Sequence, residues 1–105
     1  MNIDRKTFSS EYGFIDYHYS IEPDYPNGIL IFMGSLVYKQ YRGMGVFKKM
    51  VLDLFDKFPL GTEVHVCLAT HYLVSFFERM GFERVDEIEY WGQMSNTINL
   101  KGKLE

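Results

Sequence analysis

The sequence has little cysteine and no long apolar run. Only one of the 105 residues is a cysteine, Cys67, so neither an intrachain disulfide nor a cysteine-based metal site can form. This cysteine usage is typical of a reducing compartment, and we expect a cytoplasmic location. Residues 1–10 lack the apolar centre of a signal peptide. No apolar segment approaches the roughly 20 residues of a membrane-spanning helix. We therefore expect no metal and no membrane as a partner.

The charge balance argues against another class of partner. The formal net charge is −3, with 11 basic and 14 acidic residues, whereas nucleic-acid binding usually needs an excess of positive charge. Hydrophobic residues make up 47% of the chain and aromatic residues 17%, which indicates a packed core rather than disorder. A chain of this length is typical of one domain. We therefore expect a single domain over residues 1–105 and no nucleic-acid partner.

Apolar periodicity predicts strands and helices in alternation. A turn containing Pro23, Pro26, Asn27 and Gly28 separates two strands that should pair antiparallel. A strand, a helix and a strand follow, which implies parallel neighbours joined by a right-handed crossover. This order predicts an α/β (α+β) fold. The predicted strands are an edge strand within Met1–Phe8, then Phe14–Ile21, Ile29–Tyr38, Glu63–Leu68, Phe82–Trp91 and Thr97–Leu100; Ser9–Gly13 is a predicted turn.

Two amphipathic helices are predicted between these strands. The first covers Val46–Phe58, and Pro59 with Gly61 should end it. The second begins at or beside Thr70, and Gly81 fits a left-handed cap at its end. The central strand is apolar on both faces, which predicts cover on both sides. Gly34 within that strand predicts a bulge or a close approach to the backbone.

The segment Gln40–Gly45 joins the central strand to the first helix. No Ser, Thr, Asp or Asn stands there to cap the free N–H groups of the helix start. Gly43 and Gly45 permit close approach to the backbone, and the helix dipole favours an anion. Arg42 and Lys48 add positive charge. We predict that the segment binds a phosphate group; the alternative is a glycine-rich turn contacted by water alone.

Two separated segments resemble the GNAT (Gcn5-related N-acetyltransferase) superfamily. Gln40, Gly43 and Gly45 fill the fixed positions of its Gln/Arg-x-x-Gly-x-Gly/Ala signature. Residues 76–82, Phe-Phe-Glu-Arg-Met-Gly-Phe, resemble the aromatic-Tyr-Glu-Lys-x-Gly-Phe ending of its second motif. The resemblance covers residues 29–100 and is to a short, minimal member. It implies the GNAT fold, a mixed central sheet with a splayed parallel strand pair and two main helices.

The resemblance implies an N-acetyltransferase that moves an acetyl group from acetyl-coenzyme A to a primary amine by direct attack in a ternary complex. The acceptor stays open between a protein lysine, a peptide and a small amine, and a homodimer stays open as well. The alternative is a catalytically silent module of the same fold that binds coenzyme A or another protein. The implied cofactor-binding residues, which place pyrophosphate on the loop and pantetheine on the strand, are Leu36, Val37, Tyr38, Gln40, Tyr41, Arg42, Gly43, Met44, Gly45, Val46, Phe47, Lys48, Thr70 and Phe77.

Two positions depart from the family pattern. Phe77 stands where the family often has a tyrosine that protonates the leaving thiolate, and Thr70 stands where it often has an asparagine. Phe77 cannot donate a proton, although we expect its ring to point toward the thioester. This departure favours the silent alternative. Catalysis through water or a displaced tyrosine stays open, because orientation alone contributes several kcal/mol to rate acceleration.

The catalytic residues stay unknown at this level. His71, Glu22 and His18 are candidates for a general base, with an ordinary surface or structural role as the alternative, because nothing in the sequence fixes their geometry. His65 has no predicted role. Tyr17 and Tyr19 share the apolar face of their strand and are predicted to be core residues. The acidic set in the later part of the chain either attracts a cationic amine or forms a solvated strand edge; it comprises Glu83, Asp86, Glu87 and Glu89.

Overall fold

A computed structural model describes residues 3–68, 71–85 and 98–105, without the side chains of residues 67, 68, 71 and 72. Within these ranges the chain forms strands, a short 3-10 helix and α-helices. The strands are β1 (Lys6–Ser10), β2 (Gly13–Glu22), β3 (Tyr25–Val37), β4 (Glu63–Leu68), β5 (Glu83–Val85) and β6 (Ile98–Lys103). The helices are α1 (Val46–Phe55) and α2 (His71–Arg79), and the 3-10 helix covers Lys39–Tyr41.

The strands form one mixed sheet of six strands in the order β1-β2-β3-β4-β6-β5. β2 pairs antiparallel with β3, whereas β3 pairs parallel with β4 from Ile29 opposite Glu63 to Phe32 opposite Val66. β6 pairs antiparallel with both β4 and β5. The predicted hairpin, the parallel strand–helix–strand unit and the mixed sheet with two helices are therefore confirmed.

The pairing of β3 with β4 ends before either strand ends. Phe32 and Val66 form the last pair of this parallel ladder, and both strands continue beyond it. A register shift at the step from Asp16 to Tyr17 in β2 marks a bulge in β3 beside Gly34. A bulge bends its strand and increases the local twist, so β3 turns away from β4 and an opening forms between them. The predicted bulge and the splayed parallel pair are both present.

Both helices pack on the same face of the sheet. Their buried residues recur at the three- and four-residue spacing that places side chains on one side of a helix. Full burial of one such side chain contributes roughly 1.5–3 kcal/mol to stability. The core includes Leu30 and Phe32 of β3, Val64 and Val66 of β4, Met50, Val51 and Leu54 of α1, and Val74 and Phe77 of α2. Tyr17 and Tyr19 pack against this core, as predicted.

The opposite face of the sheet is buried at its centre as well. Ile29 and Ile31 of β3 are almost completely inaccessible, which confirms that the central strand is covered on both faces. His18 and His65 flank Ile31 in register on the two neighbouring strands. Both histidines are buried, so this face carries polar groups next to an apolar centre.

Several predicted boundaries were wrong. β3 begins at Tyr25, so Pro26, Asn27 and Gly28 belong to the strand and the turn is shorter than predicted. β1 extends through Ser10, where a turn was predicted, because it pairs with β2 up to Gly13. Long-range pairing decides both limits, whereas the sequence signals for turns are local. β6 likewise continues through the polar residues to Lys103 because it pairs along the whole of β4.

Helix α2 ends in the predicted glycine cap. Gly81 has φ 96°, its N–H donates to the carbonyl of Glu78 at 3.0 Å, and the N–H of Phe82 donates to the carbonyl of Phe77 at 3.1 Å. This pair of bonds is the Schellman pattern, which satisfies the last carbonyls of a helix. Helix α1 ends at Phe55, earlier than predicted, and its next residues form turns. Thr70 and the predicted strand and turn residues 86–97, including Asp86, Glu87 and Glu89, lie outside the described residues.

In the part of the chain that the structure describes, neither helix is long and apolar enough to cross a bilayer. The same residues contain no group of three or more His, Cys, Asp or Glu side chains arranged to hold a metal ion.

Candidate functional site

A cavity of about 910 Å³ lies at the end of β3, beyond the last residue of this strand that pairs with β4. Small-molecule sites typically have volumes of about 300–1,000 Å³. The end of β3, the loop after it, the first turn of α1 and one side of α2 form its walls. The lining residues are Ser35, Leu36, Val37, Tyr41, Arg42, Gly43, Gly45, Val46, Phe47, Lys48, Leu73, Phe76 and Arg79. Most of the residues predicted to bind the cofactor therefore surround one cavity.

Helix α1 begins at this cavity without a side-chain cap. Gly45 is its N-cap, with φ 75° and ψ 9°, and no side chain hydrogen-bonds to the helix start. The first turn contains no acidic residue. The N–H groups at the start of a helix have no intrahelical acceptor, so those of Val46, Phe47 and Lys48 are available at the cavity wall. The predicted uncapped helix start is confirmed.

The left-handed backbone conformation, and not crowding by neighbouring atoms, requires glycine at positions 43 and 45. Gly43 has φ 79° and Gly45 has φ 75°, a region that other residues rarely adopt. A Cβ atom at either position would meet no protein atom within 4 Å. The space beside both glycines is therefore open to another molecule, as the prediction of a phosphate loop requires.

Three basic side chains line the cavity, from Arg42, Lys48 and Arg79. The described lining includes no carboxylate. Arg42 Nε donates to the carbonyl of Val37 at 3.0 Å, which ties the loop to the end of β3. Free N–H groups at a helix start together with nearby cations make a site for an anion. The electrostatics of the cavity therefore favour an anionic ligand.

The end of β3 presents a backbone edge to the cavity. The N–H of Tyr38 donates to the carbonyl of Tyr12 at 2.8 Å, on the β2 side. Successive residues of a strand direct their peptide groups to opposite edges, so those of Val37 point to the open side. The Arg42 bond to the Val37 carbonyl agrees with this direction. Val37 is therefore the residue of the predicted stretch Leu36 to Tyr38 whose peptide groups face the open edge of β3.

Phe77 is the predicted cofactor residue that lies on α2. Phe77 has no accessible surface and does not line the cavity. Its ring packs among those of Phe32, Phe47 and Phe82, and its neighbour Phe76 lines the cavity instead. The prediction that Phe77 points toward a bound thioester was therefore wrong. Thr70 lies outside the described residues.

Two of the three candidates for a general base, His18 and Glu22, have described side chains. Neither of them lies at the cavity. His18 is buried and tied down, with Nδ1 3.0 Å from the backbone N of Asp4 and Nε2 3.2 Å from Ser20 Oγ. Glu22 accepts a hydrogen bond from Ser20 Oγ and pairs with Tyr25 at the far end of β3. That end lies roughly 35–40 Å along the strand from Val37. Both side chains are hydrogen-bonded away from the cavity, and the side chain of His71 is not described.

His65 is a buried titratable residue for which the sequence predicted no role. Its side chain is fully buried, Nε2 lies 3.2 Å from Glu63 Oε1, and its ring meets that of Tyr25 edge to face. It precedes Val66, the last residue of β4 that pairs with β3. His65 does not line the cavity.

The sequence did not identify Ser35, Leu73, Phe76 and Arg79 as lining residues. Helical spacing places Leu73 and Phe76 on the apolar side of α2, but periodicity does not say whether such a side faces a core or a cavity. Arg79 stands where the family motif has lysine. This match was the one sequence signal that could have identified a lining residue in α2. Three further residues were predicted to contact the cofactor but do not line the cavity, namely Tyr38, Gln40 and Met44; Met44 is 66% exposed.

The mixed sheet, the parted parallel strands and the glycine loop before α1 constitute the GNAT fold. Similar solved structures are Arabidopsis thaliana Naa50 in complex with the bisubstrate analogue CoA-Ac-MVNAL and Arabidopsis thaliana NAA60 in complex with a bisubstrate analogue or with acetyl-CoA. The TM-scores are 0.63, 0.61 and 0.59, and the sequence identities are 20%, 14% and 12%, respectively.

The matches cover 87%, 90% and 88% of this chain, respectively. The chain spans only 64% of the length of the Naa50 structure and 65% of each NAA60 structure. No family model and no curated protein sequence matches the chain. At these identities the likeness establishes the fold of the chain.

Proposed function

We propose that the chain is a single acyl-coenzyme A-binding domain that transfers an acetyl group from acetyl-coenzyme A to a primary amine. The observation that carries this proposal is the uncapped start of α1, with left-handed Gly43 and Gly45 beside it, at the opening of a parallel strand pair. The reaction is direct attack of the amine on the thioester carbonyl, with coenzyme A as the leaving group. The protein contributes mainly by holding both substrates in position.

Each part of the cavity suits a different part of coenzyme A. The N–H groups at the α1 start receive the pyrophosphate, and Arg42 and Lys48 balance its charge. The N–H of Val37 donates to pantetheine along the open edge of β3, while the Val37 carbonyl keeps its bond from Arg42. Leu73 and Phe76 supply an apolar wall opposite that edge. In this arrangement the thioester points toward the place where β3 and β4 part.

A peptide amine is the acceptor that the comparisons favour. The Naa50 structure contains coenzyme A joined through an acetyl group to the peptide MVNAL, and one NAA60 structure also contains a bisubstrate analogue. We extend this acceptor class to the present chain because the fold is shared. A lysine side chain and a small amine are the acceptors against which a peptide N-terminus is to be tested.

One observation favours a second candidate function, a module that binds coenzyme A without transferring an acyl group. The described lining residues include no carboxylate, histidine or cysteine, and their hydroxyl groups come from Ser35 and Tyr41. Phe77, in the family position of the acid, is buried in the core. Transfer does not strictly require an acid, because a thiol with a pKa near that of free Cys, about 8.5, is an adequate leaving group near neutral pH.

Titration calorimetry followed by a transfer assay tests both candidates. The purified chain is titrated with coenzyme A and then incubated with acetyl-coenzyme A and an amine panel, with mass spectrometry of the products. The panel contains three kinds of acceptor: peptides with a free N-terminus, peptides whose N-terminus is blocked but which contain an internal lysine, and small diamines. Binding with acetylation of free N-termini supports the proposal, and binding without any product supports the silent module. Absence of binding would contradict both.

A further inference from the structure

The turn between β1 and β2 touches both ends of the 3-10 helix that precedes the glycine loop. The carbonyl of Tyr12 in this turn accepts the N–H of Tyr38 at 2.8 Å. The ring of Tyr12 meets the ring of Tyr41 edge to face, with centroids 5.1 Å apart and planes at 86°. The N–H of Tyr41 donates to the carbonyl of Tyr38 at 2.9 Å, which closes the 3-10 turn. Tyr12 therefore contacts the residues on each side of this turn.

The turn that carries Tyr12 is itself fixed to the sheet. The N–H of Tyr12 donates to Ser10 Oγ at 3.1 Å. A Cβ atom on Gly13 would lie 1.9 Å from the carbonyl oxygen of Leu36, so the two backbones approach as closely as only glycine permits. Tyr12 is thereby held at a set distance from the end of β3.

The Tyr12 hydroxyl is engaged on its own turn. A hydrogen bond to Glu11 raises the pKa of the phenol above its ordinary value. The ring of Tyr12 packs edge to face against the ring of Tyr41. Tyr41 lines the cavity whereas Tyr12 does not, so any effect of Tyr12 on a ligand passes through Tyr41.

The glycine loop itself is exposed and lacks a side-chain cap. No side chain caps the start of α1, and Arg42, Gly43, Met44 and Gly45 are exposed. A loop that is ordered before its ligand arrives binds more tightly, because the cost of ordering it has already been met. The contacts of Tyr12 with Tyr38 and Tyr41 anchor the chain directly before this loop.

We propose that Tyr12 is a positioning residue for the phosphate-binding loop, acting through the 3-10 helix and Tyr41. This inference rests on the proposed coenzyme A site. It assigns the turn between β1 and β2 a role in ligand affinity. This turn lies outside both segments that resemble the family motifs. The aromatic ring carries the role, and the hydroxyl is dispensable.

The test compares Tyr12→Ala with Tyr12→Phe in two titrations, one with coenzyme A and one with acetyl-pantetheine, which lacks the phosphates. We expect Tyr12→Ala to weaken coenzyme A binding about threefold to tenfold, the effect of losing one aromatic pair. Its affinity for acetyl-pantetheine should stay within about twofold of wild type, well below that loss. Tyr12→Phe should match wild type with both ligands.

The matched control is Tyr19→Ala, which removes a ring of the same hairpin that stacks on Phe58, 4.5 Å away. It should lower the melting temperature and leave coenzyme A affinity unchanged. Equal coenzyme A affinity in wild type and Tyr12→Ala would overturn the inference alone. A parallel loss of both ligands in Tyr12→Ala, or the same loss in Tyr19→Ala, would also overturn it by indicating general destabilisation. Failure of wild type to bind coenzyme A would overturn the proposed function as well.

Discussion

The ring of Phe77 packs edge to face against the ring of Phe32, with the centroids 5.3 Å apart. Phe32 is the last residue of β3 that pairs with β4, so this contact links α2 to the place where the two strands part. Phe77 thus supports the opening from inside the core. A tyrosine at this position would direct its hydroxyl into apolar surroundings instead of into the cavity.

Phe77→Tyr is expected to destabilise the protein without creating a catalytic acid. Burial of a hydroxyl group without a partner costs about 1–3 kcal/mol. Denaturant unfolding should show this loss, and the transfer rate per folded molecule should not increase. Phe76→Tyr is the matched control, because Phe76 is partly exposed at the cavity and its new hydroxyl would reach water. A faster Phe77→Tyr variant of unchanged stability would contradict the core position of Phe77.

Gly45→Val is expected to abolish coenzyme A binding while most of the fold remains. The left-handed conformation costs a residue with a Cβ atom about 1–2 kcal/mol, and no protein atom lies close enough to add a clash. The new side chain would fill the space proposed for the phosphate. Calorimetry measures the affinity, and circular dichroism checks the fold. Gly43→Val should behave in the same way.

Gly81→Val is the control for these glycine substitutions. Gly81 also has a positive φ and open space around it, but it lies at the end of α2 and outside the cavity. It should show a similar loss of stability with normal coenzyme A affinity. Normal affinity in a folded Gly45→Val variant would contradict the phosphate-loop proposal.

Lys48→Ala and Arg79→Ala are each expected to weaken coenzyme A binding about tenfold, the effect of losing one charge-assisted hydrogen bond. The losses should shrink as salt is added, since added ions screen exposed charges. Lys49→Ala is the control. Lys49 neighbours Lys48 in α1 but pairs with Asp53 at 2.8 Å and does not line the cavity. An equal effect of Lys49→Ala would show that overall charge, rather than the cavity, governs binding.

His18→Ala is expected to lower stability and spare activity. His18 is 4% exposed and connects Asp4 with Ser20, so its removal breaks two part-buried hydrogen bonds and leaves a gap in the sheet face. Such a loss typically costs about 1–3 kcal/mol of unfolding free energy. Below the melting temperature, the transfer rate with a saturating amine should match wild type. A large fall in rate with unchanged stability would restore His18 as a candidate base.

Features with a local cause could be predicted from the sequence. The bounds of β4 and the start of α1 are as predicted, because β-branched residues, glycine and amphipathic spacing mark them within a few positions. The uncapped helix start follows from the absence of a capping residue near Gly45. Gly81 caps α2 because its left-handed conformation suits a residue without a Cβ atom. Each of these depends on neighbours in the sequence.

Features that depend on distant partners were decided by the tertiary structure alone. β6 runs to Lys103 because β4 offers it a complete set of backbone partners. Tyr12 supports the loop because pairing of β2 with β3 brings its turn beside Tyr41. No pattern within either segment could indicate these contacts.

The neighbours Phe76 and Phe77 show the same division within one helix. Periodicity places both on the apolar side of α2, together with Leu73, since about 100° separates successive residues of a helix. How α2 lies against α1 and β3 then decides that Phe77 enters the core while Phe76 faces the cavity. The sequence determined that this side is apolar, and only packing decided which of the two rings a ligand could touch.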